Sequence, residues 1–244
     1  GQVSDDELRR MTKDYVSRYA AERIDDFAHK SARFRYLFTR LRETAYTIIL
    51  NIAREMRQSD FQPVSFELSF GGRQGDLPAI TIQEDGARLS VSGKVDRVDG
   101  WLHEGKLYLR VVDYKTGKKS FDLTDIRYGL GIQMLLYLFT LEREGQSFFG
   151  HPIVPCGVLY QPARDVILRQ DRNISDEKLK AALQSELRRT GLVLNDPQVL
   201  RAMEHSALDS PCYLPIGVKK DGSLSGSVAT AAQLGHLGRY VDRL

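Results

Sequence analysis

The feature that most constrains this chain is an apolar run at residues 107–112 that ends abruptly in charge. The run is rich in Leu and Val and is interrupted only by Tyr108 and Arg110, which predicts a largely buried β-strand. Asp113 and Lys115 follow it, two positions apart. Residues two apart in a strand point to the same face, so a carboxylate and an ammonium are expected together at one end of this strand.

A second strand is predicted at residues 88–95, and it delivers Asp96 at its end. Two turn signals lie between the strands, at Asp99-Gly100 and at Glu104-Gly105, and either would close an antiparallel hairpin. In both cases Asp96 comes near the charged end of the first strand. We therefore expect two carboxylates and a lysine to converge at one edge of a sheet.

Such a convergence suits the hydrolysis of phosphodiesters. Two carboxylates are suitable ligands for Mg²⁺, which neutralises charge on a phosphate and generates hydroxide near neutral pH. A neighbouring lysine can orient the attacking water and stabilise developing negative charge. The alternative interpretation is a surface ion pair at a strand end, which is common for an isolated Asp-x-Lys and contributes little to stability. The buried strand and the second aspartate favour the catalytic interpretation.

Three segments resemble, in order, the motifs of RecB-type PD-(D/E)XK nucleases: residues 93–99 (GKVDRVD), 112–116 (VDYKT) and 128–137 (YGLGIQMLLY). Each segment alone would be a weak signal, but the combination in this order is specific. The resemblance is strongest to the C-terminal nuclease region of the AddB-type subunits of bacterial ATP-dependent helicase/deoxyribonucleases. It is densest at residues 61–160 and thins towards both ends.

The resemblance implies a Mg²⁺-dependent deoxyribonuclease domain, in which Mn²⁺ can replace Mg²⁺. Asp96 and Asp113 would hold the metal, with the carbonyl of Tyr114 as an additional ligand. Lys115 would position the water. The partners would be DNA and, in the full-length protein, the partner subunit of a helicase-nuclease complex that processes double-strand breaks for recombinational repair. Two alternatives stay open: a stand-alone phage or CRISPR-associated exonuclease of the same superfamily, and a non-catalytic DNA-binding or scaffold module.

Three more side chains are candidates for DNA binding or for support of the active site. Gln133 and Tyr137 lie four apart on a predicted helix and share a face. The resemblance implies that they hold the DNA or the catalytic lysine, and the alternative is a buried Tyr whose hydroxyl is bonded to Gln. Glu67 lies on the polar side of a predicted strand at residues 63–70, followed by Phe-Gly as in the family. Its role would be a supporting contact, or it lies on a solvated strand face.

The family also has a metal-binding histidine on a helix before the sheet and four cysteines that hold a [4Fe–4S] cluster. This chain has only Cys156 and Cys212, so it does not support the cluster, and no histidine falls in the helix motif. We therefore expect a fragment of a longer chain. It should fold, be colourless, and cleave DNA weakly or not at all until N-terminal sequence is restored.

Composition agrees with a soluble globular protein, since 42% of the residues are hydrophobic and 27% are charged. There is no signal-peptide pattern and no apolar run near the roughly 20 residues of a membrane span, which predicts a cytoplasmic protein without a membrane partner. The net charge of +3 permits an acidic partner without requiring one, so a local basic surface must supply affinity for DNA. The turn at residues 117–120 (GKKS) lacks the first glycine of a phosphate-binding loop, so no ATP site is predicted.

We predict a single α/β domain at residues 1–244, with a restriction-endonuclease-like mixed central sheet flanked by helices. It would comprise a helical N-terminal part (1–60), a catalytic sheet core (61–160) and a C-terminal helical part (161–244). Helices are predicted at residues 4–27 with Ser4 as the cap, 125–144, 175–190 with Ser175 as the cap and Gly191 as the stop, and 196–205. Strands are predicted also at 79–82 and 153–160. Turns are predicted at Asp85-Gly86 and at residues 219–222.

Two further helices are predicted from apolar stripes. The stripe of the second helix in the chain should dock on the sheet, and it consists of Phe34, Leu37, Leu41, Ile48, Ile52 and Met56. Its opposite surface is rich in arginine, which indicates either a solvated face or a track for a phosphate backbone. The stripe of the last helix consists of Val228, Leu234, Leu237, Val241 and Leu244.

Overall fold

The computed structural model describes residues 3–24, 27–71, 75–84, 87–128, 131–164, 166 and 175–241. The turn predicted at Asp85-Gly86 and the apolar position Leu244 lie outside these ranges. The helices are α1 (Asp5–Arg23), α2 (Ala32–Met56), α3 (Leu123–Arg127), α4 (Gln133–Phe149), α5 (Asp176–Glu186), α6 (Pro197–Met203) and α7 (Ala231–Val241), with a 3₁₀ turn at Phe27–His29. The strands are β1 (Gln62–Phe70), β2 (Ile80–Glu84), β3 (Ala87–Val91), β4 (Gly93–His103), β5 (Lys106–Lys115), β6 (Ile153–Pro162), β7 (Thr190–Leu194), β8 (Ile216–Val218), β9 (Leu224–Gly226) and β10 (Val228–Ala229).

A mixed sheet with the strand order β1-β4-β5-β6-β7-β10 organises the molecule. The β1–β4, β4–β5 and β6–β7 pairs are antiparallel, whereas β5–β6 and β7–β10 are parallel. Helix α4 forms the crossover between β5 and β6, and its Leu135, Leu138 and Phe139 are buried in the core. The predicted restriction-endonuclease-like mixed sheet flanked by helices is confirmed.

The turn between β4 and β5 lies at the second of the two predicted positions. Glu104 and Gly105 both have positive φ, 48° and 76°, as a two-residue hairpin turn requires. Asp99 and Gly100 lie inside β4, so the alternative turn is wrong. Asp96 is also inside β4, near its start, and does not follow a strand end as predicted. Because β4 runs antiparallel to β5, the start of β4 still lies beside the end of β5.

The N-terminal half of the apolar stripe of α2 does not dock on the sheet as predicted. Phe34, Leu37 and Leu41 are exposed, with 37%, 51% and 60% of their surfaces accessible. The buried positions of α2 are polar instead, namely Asn51 and Glu55. Helix α2 packs beside α1, and two of its flanking arginines, Arg54 and Arg57, bind Asp5. These two arginines are therefore used within the protein.

Two predicted helices have different bounds in the structure. Helix α1 is capped by Ser4 as predicted, but it ends at Arg23. The helix predicted at residues 125–144 consists of α3 and α4, with a break that includes Gly131, whose φ is +70°. Glycine adopts this left-handed conformation without the steric cost that a Cβ brings, which explains why the helix is interrupted there.

The C-terminal part contributes strands to the main sheet. Helix α5 is capped by Ser175 as predicted but ends at Glu186, and Thr190 begins β7. Gly191 is not a helix stop. It lies in β7, where a Cβ would come within 2.0 Å of the Val158 carbonyl oxygen on β6. Val228 lies in β10 and not in the last helix.

Other predictions in this part are confirmed. Helix α6 lies within the predicted residues 196–205 and is capped by Asp196. The turn at residues 219–222 closes the hairpin of β8 and β9. In the described part of the chain, no helix is long and apolar enough to cross a membrane.

Candidate active site

Asp96 and Asp113 are brought together by the register of β4 and β5. The ladder pairs Arg97 with Val112, so the next step of the same register places Asp96 opposite Asp113. Directly opposed residues of an antiparallel pair project from the same face of the sheet. Oδ2 of Asp96 accepts a hydrogen bond from the backbone nitrogen of Tyr114 at 2.7 Å, which ties the two strands together beside the carboxylates.

Lys115 lies against Asp113, as the two-residue spacing predicts. Its Nζ is 2.6 Å from Oδ2 of Asp113, and the two side chains are 37% and 21% exposed. That carboxylate oxygen is shielded from solvent, and among the described residues none donates a well-oriented hydrogen bond to it. The contact with Lys115 is thus a close charge pair and not a regular hydrogen bond. Oδ2 retains the capacity to accept a further ligand.

Tyr114 is held at two points. Its backbone N–H donates to Asp96, and its hydroxyl accepts a hydrogen bond from Nη1 of Arg97 at 2.8 Å. Burial raises the pKa of the Tyr114 hydroxyl, and the guanidinium of Arg97 partly opposes this. With both ends fixed, the orientation of the Tyr114 peptide relative to the two carboxylates is constrained.

A buried network of charges lies on the opposite face of the same strands. Arg97 donates to both carboxylate oxygens of Asp99, at 2.7 and 3.1 Å, and Arg110 bridges Asp99 to Glu55 of α2, at 3.0 Å each. Arg189, just before β7, binds the other oxygen of Glu55. All five side chains are at least 98% buried. The network therefore connects α2, β4, β5 and β7 behind the site, through Arg97 and Tyr114.

Gln133 and Tyr137 form a pair as the spacing predicts. Nε2 of Gln133 donates to the Tyr137 hydroxyl at 2.7 Å, and the Tyr137 ring stacks on Phe70 with centroids 5.0 Å apart. Tyr137 is buried, whereas Gln133 is exposed. The Tyr137 hydroxyl lies against Gly93, which starts the strand that carries Asp96. This contact agrees with a buried Tyr bonded to Gln, beside the start of β4.

Glu67 lies one strand away from the carboxylates. The β1–β4 ladder pairs Phe66 with Arg97 and Leu68 with Val95, so Glu67 falls opposite Asp96. Its side chain is 64% exposed and binds Nζ of Lys94 at 2.9 Å. Its φ of +53° is unusual for a non-glycine residue in a strand. The contact with Lys94 agrees with the solvated strand face, and a supporting role in catalysis stays a prediction.

The donor atoms at the two carboxylates have the chemistry of ligands for a divalent cation. Within the described ranges, no group of three His, Cys, Asp or Glu side chains is arranged to hold a metal. Mg²⁺ is commonly bound by only one or two carboxylates, because it retains several of its waters. Asp96, Asp113 and the carbonyl of Tyr114 are hard oxygen donors, and Oδ2 of Asp113 is buried without a regular hydrogen bond. The donor set fits a hard cation that keeps most of its hydration.

Cys156 does not resemble a metal ligand. Cys156 is fully buried in β6, and its thiol donates to the Val154 carbonyl oxygen. Burial raises the pKa of the Cys156 thiol well above its usual range, whereas a metal ligand must be a thiolate. Cys212 lies in the loop before β8 and is also a free cysteine.

Tyr160 and Lys119 are neighbours of the site that the sequence interpretation missed. Tyr160 pairs with Asp113 across the parallel strands β5 and β6. Its ring centroid is 5.7 Å from Nζ of Lys115 and 5.8 Å from Nζ of Lys119. Burial, together with the nearby charge of Asp113, raises the pKa of Tyr160 to about 12. The position of Tyr160 could be found only from the β5–β6 register, which the sequence does not reveal.

Comparisons with known proteins agree with this geometry. A family model described as the PD-(D/E)XK nuclease superfamily matches residues 2–212. The B subunit of the ATP-dependent helicase/deoxyribonuclease of Acetivibrio thermocellus is 36% identical to this chain, over 97% of the chain and 22% of the relative. The proteins of the same name from Clostridium kluyveri and Pelotomaculum thermopropionicum are each 34% identical, over 93% and 99% of the chain and 20% and 21% of the relatives.

The chain thus spans about a fifth of the length of these curated relatives. The three motifs identified in the sequence lie within the matched range, and the resemblance they indicated is confirmed. Since the match includes the whole β4–β5 hairpin with Asp96, Asp113 and Lys115, we conclude that this chain belongs to the PD-(D/E)XK nuclease superfamily.

Proposed function

We propose that this chain is a metal-dependent deoxyribonuclease domain that hydrolyses phosphodiester bonds of DNA. The observation that carries the proposal is the arrangement of three side chains at the β4–β5 edge. Asp96 and Asp113 occupy opposed positions, and the ammonium of Lys115 is 2.6 Å from Oδ2 of Asp113. Membership of a nuclease superfamily supports the same reaction class.

In this proposal Asp96 and Asp113 hold Mg²⁺, or Mn²⁺ in its place, with the carbonyl of Tyr114 as a further ligand. When bound, the cation supplies positive charge to the phosphate and lowers the pKa of a water molecule. Asp113 also keeps the Lys115 ammonium close to the reacting phosphate. Lys115 then donates hydrogen bonds to the attacking water and to the phosphate oxygens, where negative charge develops.

The reaction is a displacement at phosphorus. The water oxygen loses a proton to solvent and forms a bond to phosphorus, the bond between phosphorus and the leaving oxygen breaks, and the leaving oxygen takes up a proton from solvent. Asp96 accepts a hydrogen bond from the Tyr114 N–H and thereby keeps the start of β4 and the end of β5 at a fixed separation. The buried Arg97 supports the same residue from behind. Gln133 and Tyr137 stabilise the start of β4, and Glu67 supports the neighbouring strand through Lys94.

We further propose that the chain acts as a single nuclease domain of a larger helicase-nuclease assembly. Its relatives are named as the B subunit of an ATP-dependent helicase/deoxyribonuclease, which suggests a partner subunit and a DNA substrate. On this basis the domain contributes to processing of double-strand breaks for recombinational repair, in the cytoplasm.

The deciding experiment is cleavage of end-labelled single-stranded DNA in excess Mg²⁺ or Mn²⁺, compared with the same reaction in EDTA. We expect weak cleavage, detected at high protein concentration, that requires the metal and is lost in Asp96→Asn. Asp209→Asn, a surface change elsewhere in the chain, is the matched control and should cleave as the parent does. DNA binding without metal-dependent cleavage by the parent would instead identify a non-catalytic DNA-binding module.

A further inference from the structure

We propose that a basic cleft beside the active site binds the phosphodiester that neighbours the scissile one on the DNA strand. The basic cleft is defined by Lys118, Lys119, Arg164, Glu186 and Arg188, and it opens directly onto Lys115. This inference rests on the proposed function, because it assigns a second contact to the same substrate. It gives a role to the Gly-Lys-Lys-Ser turn, which does not match an ATP-binding loop.

The cleft concentrates positive charge. Among the residues that the structure describes, five cationic side chains and one carboxylate line it, although the chain as a whole has a net charge of only +3. The cleft is open to solvent and has a volume of about 180 Å³, which is room for a phosphate group with its hydration. Single-stranded DNA is bound mainly through such positively charged grooves that follow its backbone.

Glu186 marks the position of an anion inside the cleft. Its Oε2 is 2.6 Å from Nη2 of Arg164 and 3.7 Å from Nζ of Lys118. The hydrogen bond from Arg164, followed by the charge of Lys118, holds the pKa of Glu186 below its usual range. A guanidinium and an ammonium that converge on one carboxylate oxygen have the arrangement that also binds a phosphate oxygen. The incoming phosphate then displaces the Glu186 carboxylate and binds Arg164 and Lys118 in its place.

The wall of the cleft is preorganised. The guanidinium of Arg188 donates to the carbonyl oxygens of Leu214 and Pro211, at 2.7 and 3.1 Å, and to that of Ile216. Its charge is therefore held in place by neutral carbonyl groups. Thr190 Oγ1 donates to the Lys119 carbonyl oxygen at 2.8 Å, which anchors the loop that carries both lysines.

Tyr160 connects the cleft with the active site. The ammonium groups of Lys119 and Lys115 lie near the same Tyr160 ring, at 5.8 and 5.7 Å from its centroid. Lys115 also pairs with Asp113. The lysine of the active site and a lysine of the cleft therefore share one aromatic neighbour, so a strand whose phosphate lies at Lys115 has its next phosphate within reach of Lys119.

The test is the binding of a fluorescein-labelled oligothymidylate, followed by anisotropy in EDTA over a series of salt concentrations. Lys118→Ala combined with Lys119→Ala should weaken binding and reduce the dependence of log K on log salt, by about 0.7 for each phosphate that is no longer neutralised. Glu186→Gln should strengthen binding, because the competing carboxylate is removed. Lys118 is 78% exposed, so its substitution leaves packing unchanged.

Lys106→Ala is the control. It removes one lysine charge, against two in the Lys118/Lys119 variant, at the opposite end of the ten-residue strand β5, about 30 Å from Lys115 at roughly 3.3 Å per residue. If the Lys118/Lys119 variant binds as tightly as Lys106→Ala, with the same salt dependence, the cleft proposal is overturned while the nuclease proposal stands. A parent chain that neither binds the oligonucleotide nor cleaves DNA overturns the nuclease proposal itself.

A second measurement locates the contact. Oligonucleotides with one neutral methylphosphonate next to the cleaved bond should be cut more slowly by the parent chain. In the Lys118/Lys119 variant the methylphosphonate should have no further effect, because the charged contact is already missing. Equal sensitivity of parent and variant would show that these lysines do not contact that phosphate.

Discussion

The hydroxyl of Tyr137 lies against the α-carbon of Gly93, where an added Cβ would come within 2.1 Å of the oxygen. Helix α4 thereby contacts the first residue of β4, three positions before Asp96. The glycine of the first motif and the tyrosine of the third motif thus contact each other. Their shared presence in the sequence has a steric cause, because only glycine lets the helix approach the strand this closely.

This contact predicts that Gly93→Ala destabilises the protein. Overpacking a core typically costs about 1–3 kcal/mol, and we expect a loss in that range by urea denaturation. Gly235→Ala, on an exposed helical turn where an added Cβ would meet only Nη1 of Arg239, at 3.8 Å, is the control and should stabilise by up to about 1 kcal/mol.

Tyr137→Phe tests whether the clash with the Tyr137 hydroxyl is the cause of the destabilisation by Gly93→Ala. It removes the oxygen at 2.1 Å and leaves ring carbons at 2.9 and 3.0 Å as the nearest atoms. The double variant should therefore lose less stability than the sum of the two single variants. Simple additivity would show that Gly93 matters for another reason.

A second prediction concerns the metal. Asp113→Asn should weaken Mn²⁺ binding by roughly a hundredfold or more, since even the loss of an outer hydrogen-bond partner costs about 10- to 100-fold. The fold should persist, because the substitution keeps the shape of a partly exposed side chain at a strand end. Calorimetric titration with Mn²⁺ measures the affinity, and circular dichroism checks the fold. Asp221→Asn, in the β8–β9 turn, should bind Mn²⁺ as the parent does. Unchanged affinity in Asp113→Asn would refute the assignment.

A third prediction separates the lysine from the metal. Lys115→Ala should keep Mn²⁺ affinity or raise it, because a positive charge 2.6 Å from a ligand oxygen is removed. Its rate of DNA cleavage should fall by about 100-fold or more, as is typical when one donor to a developing anion is lost. Single-turnover cleavage under saturating Mn²⁺ measures this, with Lys106→Ala as the control. A Lys115→Ala variant as fast as the parent would mean that Lys115 only pairs with Asp113.

A fourth prediction concerns the buried charges behind the site. Glu55→Gln should destabilise the fold by about 3–5 kcal/mol, because Arg110 and Arg189 lose their shared carboxylate in a buried location. Glu43→Gln is the control. Glu43 pairs with Arg9 at 2.7 Å, but both side chains are at least half exposed, so its loss should cost no more than about 1 kcal/mol. Equal costs for the two variants would show that the buried network is not stabilising.

The same network predicts a pH dependence. Burial alone would raise the pKa of Glu55, but the charges of Arg189, Arg110 and Arg97 outweigh it, and the pKa lies below its ordinary 4.5. A carboxyl group with a lowered pKa contributes its full stability above the ordinary pKa and loses it as the pH falls through the lowered value. The difference in unfolding free energy between the parent and Glu55→Gln should therefore shrink below about pH 4.5. A difference that stays constant down to pH 2 would contradict the lowered pKa.

Local patterns in the chain were sufficient for several parts of this structure. The apolar run at residues 107–112 identifies β5 because a buried strand needs apolar residues on both faces. Ser4 and Ser175 cap their helices as predicted, because a cap is formed within three residues of chain. The Asp-x-Lys spacing also predicts the contact between Asp113 and Lys115, since it depends only on the alternation of a strand.

The features that escaped prediction depend on residues far apart in the chain. Asp99 and the glycine after it form a turn signal, yet Asp99 is buried. Its charge is neutralised by Arg97 and Arg110. Arg110 is also bonded to Glu55, which lies 55 positions away in the chain. No local pattern indicates that a charge will be buried, because burial is tolerated only when all partners arrive together.

The basic cleft and the exposed surface of α2 also depend on residues that are far apart in the chain. Lys118 and Glu186 meet only because β7 joins the sheet beside β6 and brings the end of α5 next to the loop after β5. Phe34 and Leu37 have the periodicity of a core-facing stripe, yet they are exposed because α2 contacts the sheet at its other end, through Glu55. Periodicity identifies which face of a helix is apolar, but only the three-dimensional arrangement determines what covers it.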